Sequence, residues 1–185
     1  HNTAMSLRAL KYHEKKLLKK VDLVNWKHEG VQKEAEIINR FYLQHREDFV
    51  KYTRMSGHVT SLVSKLRKLD SKDPFRHRIS SALLEKLYNM GLIPSQKSLA
   101  LCDHLGVSSF CRRRLPFVMV RNKMCETLKE AVTFVEQGHV RIGPQVVTDP
   151  AFLVTRNMED FVTWVDSSKL KRKILKYHDQ VDDYD

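Results

Sequence analysis

Apolar positions keep a helical period through the first half of this chain and shift toward a period of two near its C-terminal end. Ile37, Ile38 and Phe41 form one stripe, which Phe49, Tyr52, Met55, Val59, Leu62, Val63, Leu66 and Leu69 continue at three- and four-residue steps. The spacing predicts helix over 35–69, broken near Gln44–Asp48 or at Gly57. Asp73-Pro74 is a start signal, an acceptor side chain followed by a residue that needs no backbone donor. The helix it opens carries Ile79, Leu83, Leu84, Leu87 and Met90 and stops at Gly91. Ser98–Leu105 reads as a short helix ended by Gly106. Residues 31–106 are thus expected to form a helical body.

A different unit runs from Val107 to Val165. Its first helix, capped by Ser108 or Ser109, carries Val107, Phe110, Cys111, Leu115 and Val118 on one side, with Arg112, Arg113 and Arg114 flanking them. Pro116 denies a donor to residue 112 and clashes one turn back, so a kink or break is expected there. Thr127-x-x-Glu130 is a capping box, followed by Leu128, Ala131, Val132 and Val135 at helical spacing and by Gly138 as the stop. The link between the two helices is short, which predicts an antiparallel pair. Beyond Gly138, Val140 and Ile142 alternate with polar neighbours, and Gly143-Pro144 makes a turn before Val146-Val147. Asp149-Pro150 makes another turn before Phe152–Val154, and Asn157–Asp160 reads as a polar loop before the strand Phe161–Val165. The predicted fold class is α+β, mostly helical: a helical body followed by two antiparallel helices on a small β-sheet.

Both ends are charged. His1–Ala4 precede Met5 and read as vector-derived, with Met5 as the native start. Residues 5–30 form a basic arm, in which Arg8, Lys11, Lys15, Lys16, Lys19 and Lys20 face Glu14 alone between Ser6 and Lys20. So little apolar content predicts an extended arm or a helix that orders on a partner, with Trp26 as its anchor to a body. Trp26, Phe41 and Tyr42 are candidates to grip a partner helix, and equally candidates for the chain's own core. Residues 166–185 are expected to be a surface tail, basic through Lys176 and acidic at Asp182, Asp183 and Asp185.

Charge and cysteine usage narrow the classes of function. Lys and Arg number 33 against 22 Asp and Glu, a net charge of +11, and a balance this basic points to a polyanion, nucleic acid above all. The three cysteines, Cys102, Cys111 and Cys125, lack C-x-x-C spacing, so neither a disulfide framework nor a zinc knuckle is expected. Cys102 lies on an apolar stripe and reads as core despite His104 nearby. No run approaches the ~20 apolar residues of a membrane span. No Gly-rich phosphate loop, G-x-S-x-G or H-E-x-x-H occurs, so nothing argues for catalysis and no cofactor is expected.

The binding candidates are Arg112, Arg113, Arg114, Arg121, Lys123, Thr127, Lys129, His139 and Arg141. Arginine suits phosphate because its planar fork grips two oxygens at once. Consecutive helical positions spread three side chains over ~200°, so they cannot all face one ligand. Arg112 and Arg113 are the expected phosphate forks, and Arg114 is free to pair with a carboxylate instead. Thr127–Lys129 add a helix N-terminus, whose donors and dipole favour an anion.

Cys111-Arg112-Arg113-Arg114-Leu115-Pro116, Thr127-Leu128-Lys129-Glu130-Ala131 and Glu136-Gln137-Gly138-His139-Val140-Arg141-Ile142 together resemble the S4 RNA-binding domain. Asp73-Pro74 leading to Leu83-Leu84-x-x-Leu87-x-x-x-Gly91 resembles the body of the ribosomal protein S4 family. The arm residues Lys11–Asp22, Arg46-Glu47-Asp48 and Val154–Asp160 are similar to the S4-like branch of that family in the U3 small nucleolar ribonucleoprotein. The resemblance implies a non-enzymatic, nucleolar assembly factor of the small-subunit processome. Such a factor binds U3 small nucleolar RNA and pre-ribosomal RNA, promotes their pairing, and joins a large scaffold phosphoprotein and other processome proteins. It carries the groove role onto Arg112, Arg113, Lys123, Thr127, Lys129, His139 and Arg141. Pro144 and Gln145 stand where many S4 domains have an Asn-Gly turn, so the hairpin is expected to differ here. The alternatives are a structural small-subunit ribosomal protein of the S4 family and, since S4 domains also accompany catalytic domains, an RNA-modifying enzyme.

Overall fold

The computed structural model describes residues 8–20 and 28–178. Trp26, the vector-like residues and the acidic end lie outside the described residues. Contacts divide the chain into two units, residues 1–37 and 38–185. In the first, the basic arm is helical: α1 spans Tyr12–Lys20 and buries no residue. Glu14 accepts from the Lys11 amide and pairs with Arg8 at its first turn, while Leu17 and Leu18 are exposed.

Helix α2, His28–Phe41, ends on Tyr42 at φ 49°, and α3 follows over Arg46–Arg67. The interruption thus falls at the first of the two expected places. Gly57 leaves α3 intact, because packing along a 22-residue helix outweighs a penalty of about 1 kcal/mol. Helix α4, Pro74–Asn89, starts as its sequence dictates: the Asp73 carboxylate accepts from the Phe75 amide at 2.9 Å. Gly91, at φ +72°, closes it by letting the Leu92 amide reach back to the Leu87 carbonyl. Leu99–His104 is a 3₁₀ helix capped by Ser98. Tyr52, Val63, Leu66, Leu87, Ile93 and Cys102 make the core of this body, and Tyr52 stacks on Phe110 at 5.5 Å. Phe41 is buried with them, whereas Tyr42 is exposed.

The arginine run is not helical. Helix α5 is only Val107–Cys111, with Gly106 rather than either serine at its N-cap, and α6 is Leu115–Arg121. Arg112 caps the end of α5 and Arg114 the start of α6, with Pro116 in the first turn of α6, where its missing donor costs nothing. Between the helices the chain turns at 112–113 and becomes extended at Arg114, which bridges to Leu153. The Leu115 amide donates to the Phe152 carbonyl, and the Val154 amide donates to the Arg113 carbonyl. This pairing is why Phe152–Val154 is not a strand of the sheet.

Helix α7, Leu128–Glu136, carries the capping box: Thr127 Oγ1 accepts from the Glu130 amide and the Glu130 carboxylate accepts from the Thr127 amide. The sheet has three strands in the order β2-β1-β3: β1 Val140–Ile142, β2 Gln145–Val146 and β3 Val162–Trp164, all antiparallel. Ile142 pairs with Gln145, leaving Gly143 (φ +58°) and Pro144 as a two-residue turn. A positive φ first and a ring-fixed negative φ second follow the type II′ pattern, so a different dipeptide still gives a tight hairpin. Leu115, Val118, Met119, Val135, Val140 and Val154 form the core between these helices and strands. Arg156–Phe161 is a 3₁₀ helix where Asn157–Asp160 was expected as loop, and the last strand starts at Val162 rather than Phe161. The expected tail instead begins with a helix, α8, Lys169–Tyr177, whose first amide is capped by Ser168.

Candidate nucleic-acid interface

The break at Arg112–Arg114 sends the three side chains to three different places. Arg112 is exposed. Arg113 turns inward: Nε and Nη2 donate to the Val154 carbonyl at 3.0 and 2.8 Å, and Nη1 to Glu159 at 2.9 Å. With all three nitrogens engaged and the residue buried, the expectation that Arg113 is a free phosphate fork needs correction; burial also pulls the pKa of this guanidinium down. It lies against Gly91, where a Cβ would sit 2.7 Å from its Cζ. Arg114 is 2% exposed and pairs with Asp48 at 2.9 Å, with Tyr52 Oη at 3.2 Å and Gln44 Oε1 at 2.8 Å as further acceptors. Burial opposes its charge, but the Asp48 hydrogen bond and the Tyr52 and Asp48 charges outweigh it and raise its pKa. This is the carboxylate pairing that the sequence left open for Arg114, and it takes Arg114 out of the interface.

The other candidates form two groups. At the turn between α6 and α7, Arg121, Lys123, Thr127 and Lys129 are exposed. Arg121 pairs with the second oxygen of Glu159, while burial and the neighbouring Arg113 and Arg156 charges lower its pKa. Lys123 is held at φ +58°, where a side chain costs about 1–2 kcal/mol. Its amide donates to Val120 and the Met124 amide to Met119, closing α6 in the way glycine usually does. Thr127 uses its hydroxyl oxygen for the cap, leaving the O–H to a ligand. The turn borders a cleft of about 470 Å³ that Lys123, Cys125 and Phe134 help to line. Burial, then Glu130, raises the Cys125 thiol to about 11, which makes it a poor nucleophile.

The second group lies beyond the far end of α7, whose nine residues rise ~13 Å. His139 is half-buried with Nδ1 3.0 Å from Ser168 Oγ, and Arg141 pairs with Asp166 at 3.3 Å. Lys171 also binds Asp166; that hydrogen bond, followed by the charges of Arg141 and Lys171, outweighs burial and lowers the carboxyl's pKa. His139 and Arg141 therefore tie β1 to the start of α8, and Arg141 Nε is buried without a partner. Arg112, Lys123 and Lys129 are exposed cations with no carboxylate partner among the described residues. No group of three or more His, Cys, Asp or Glu suited to a metal ion occurs among the described residues.

Sequence reasoning did not assign the residues that hold these arginines. Asp48 and Glu159 grip Arg114 and Arg113. Arg156 donates to the Tyr88 and Ile93 carbonyls at 3.1 and 3.0 Å, with its guanidinium 4.2 Å above the Tyr88 ring. Arg46-Glu47-Asp48 and Val154–Asp160 stood out in the sequence only as family resemblance; the structure shows that both clamp the body to the module.

A helical body joined through buried arginines to two packed helices and a three-stranded sheet defines a protein of the ribosomal S4 class. Residues 9–112 match the ribosomal protein S4/S9 N-terminal domain and residues 113–160 the S4 domain, so the boundary falls inside the arginine run. Over 180 residues, 97% of this chain and 98% of the relative, it is 56% identical to the U3 small nucleolar ribonucleoprotein protein IMP3 of Mus musculus. The protein of that name from Saccharomyces cerevisiae is 49% identical over the same coverage. The small ribosomal subunit protein uS4 of Entamoeba histolytica is 26% identical over 88% of each chain. The chain belongs to the IMP3 family of U3 small nucleolar ribonucleoprotein proteins.

Proposed function

We propose that this chain is a non-enzymatic RNA-binding subunit of the U3 small nucleolar ribonucleoprotein, acting in the nucleolus in small-subunit ribosomal RNA processing. It binds U3 small nucleolar RNA and pre-ribosomal RNA, promotes their pairing, and works with a large scaffold phosphoprotein and other processome proteins. The observation that carries the RNA reading is the set of exposed cations Arg112, Lys123 and Lys129, without a carboxylate partner among the described residues, at the edge of and within an S4 domain whose arginines are engaged. Identity favours the assembly factor over a structural ribosomal protein: 49–56% to the U3 proteins against 26% to uS4. Among the described residues no helix is long and apolar enough to cross a membrane.

Binding through phosphate neutralisation depends on salt, with log K falling by about 0.7–0.9 per phosphate contact for each decade of salt. The variant carrying Arg112→Gln, Lys123→Gln and Lys129→Gln is expected to bind a U3 fragment with a salt slope shallower by about 2–3. An unchanged slope in the folded variant overturns the site. Failure of the wild-type chain to speed annealing of U3 and pre-ribosomal RNA oligonucleotides overturns the pairing role. Co-sedimentation with mature small subunits, and not with precursors, refutes the assembly role.

A further inference from the structure

A second cationic site lies on the helical body, lined by no residue of the S4 domain. Helix α4 and the segment entering the first 3₁₀ helix enclose an open cleft of about 350 Å³, lined among others by Arg76, His77, Ser80, Ser81, Lys97 and Ser98. No carboxylate lines it among the described residues. Acids of the adjoining turns are engaged: Asp70 accepts from the lining residue Ser71 and from the Lys72 amide, Asp73 accepts from the Phe75 amide, and Asp103 pairs with Arg67.

Two hydroxyls of the lining are already engaged, Ser71 donating to Asp70 and Ser81 to the Arg78 carbonyl, so the free donors are the two cations. Arg76 uses Nη1 to hold the Leu69 carbonyl at 2.9 Å, which orients the guanidinium and leaves the rest of its fork unused. Lys97 has no partner among the described residues and comes from a different segment, so the two cations approach the cleft from separate elements. Ser80 keeps a buried hydroxyl with no protein partner, a group that ordinarily finds one. Arg76 also stands in the first turn of this 16-residue helix, an end that favours an anion and whose own cap is the Asp73 carboxylate. An arginine fork and a lysine beside the unpartnered Ser80 hydroxyl, with no carboxylate in the lining, match the oxygens of a phosphodiester.

We infer that the Arg76–Ser80–Lys97 cleft binds an RNA backbone phosphate, giving the protein a second point of attachment that fixes the direction of RNA crossing the S4 domain. The inference rests on the RNA-binding reading above. The test uses the full chain, a labelled structured U3 fragment and, in a separate arm, inorganic phosphate. The Arg76→Gln/Lys97→Gln variant is expected to lose roughly tenfold in RNA affinity and to show a salt slope shallower by about 2. Lys97→Glu alone, at an exposed and unpaired position that cannot disturb folding, is expected to weaken RNA binding in the same direction. Wild-type affinity and slope in both cleft variants, while Arg112→Gln/Lys129→Gln weakens binding, overturns the cleft and leaves the S4 site standing. Failure of the wild-type chain to bind RNA overturns the functional reading itself. Shifts of the Ser80 and Ser98 amides on addition of inorganic phosphate, with RNA affinity unaltered in the variants, would make the cleft a free-anion site and refute the RNA assignment.

Discussion

Asp48→Ala tests what joins the helical body to the S4 module. Asp48 sits on α3 with its side chain 11% exposed, and its carboxylate is the one that Arg114 meets, at 2.9 Å, with Arg114 2% exposed. Alanine leaves a guanidinium out of water with only the neutral oxygens of Tyr52 and Gln44 to face it. Removing one partner of a buried pair costs about 3–5 kcal/mol, because the remaining charge keeps its desolvation penalty and loses its compensation. For a chain of this size each kcal/mol lowers Tm by about 2–4 °C, so a fall of roughly 6–20 °C is expected. Urea and thermal unfolding followed by circular dichroism measure it. Lys51→Ala is the internal control: Lys51 lies 3.7 Å from the same carboxylate but is 65% exposed, and its loss should cost less than about 1 kcal/mol. The double variant Asp48→Leu/Arg114→Met removes both charges and is expected to be more stable than Asp48→Ala. A loss within about 1 kcal/mol for Asp48→Ala would refute the reasoning, since the pair would then behave as a solvated one.

Three further outcomes follow from other sites. Gly91→Ala places a Cβ 2.7 Å from Arg113 Cζ at φ +72° and should cost about 2 kcal/mol or more in the same melts. Gly57→Ala, in open space within α3, should gain about 0.5–1 kcal/mol. Burial raises Cys111 and Cys125 from 9.0 to about 11 and moves Tyr52 upward from 10.0. Between the unfolded and folded values the unfolded chain releases protons that the folded chain retains, so stability is fully present below pH ~9 and falls as pH rises toward ~11. Urea midpoints at pH 7.5, 9 and 10.5 check this, and a midpoint that rises with pH contradicts it.

Local chemistry made much of the fold legible. Asp73-Pro74, Thr127-x-x-Glu130, Gly91 and Gly138 act through atoms a few residues away, so their roles could be read without knowing what surrounds them. Val140 and Ile142 declared a strand for the same reason, as pleat alternation needs no distant partner. Pro116 announced a break, but its consequence was not readable: the pairing of Arg113–Leu115 with Phe152–Val154 spans the module, and it turns the arginines out of any helical register. The 3₁₀ helix at Arg156–Phe161 and the helix at Lys169–Tyr177 were missed because polar residues fill most of their positions and the apolar period is short.

The candidate site divides along the same line. Charge, spacing and family resemblance selected the stretch that matches the S4 domain, since a net charge of +11 and an arginine run are properties of the sequence itself. Which arginine meets solvent is a property of burial. Asp48 lies 66 positions before Arg114, and Glu159 lies 46 after Arg113, and only chain folding over those distances brings each carboxylate to its guanidinium. The sequence by itself determined that this protein is cationic, helical in its body and S4-like beyond it. Only the tertiary structure decided that Arg113 and Arg114 serve the fold while Arg112, Lys123 and Lys129 remain free, because desolvation and long-range pairing have no local signature.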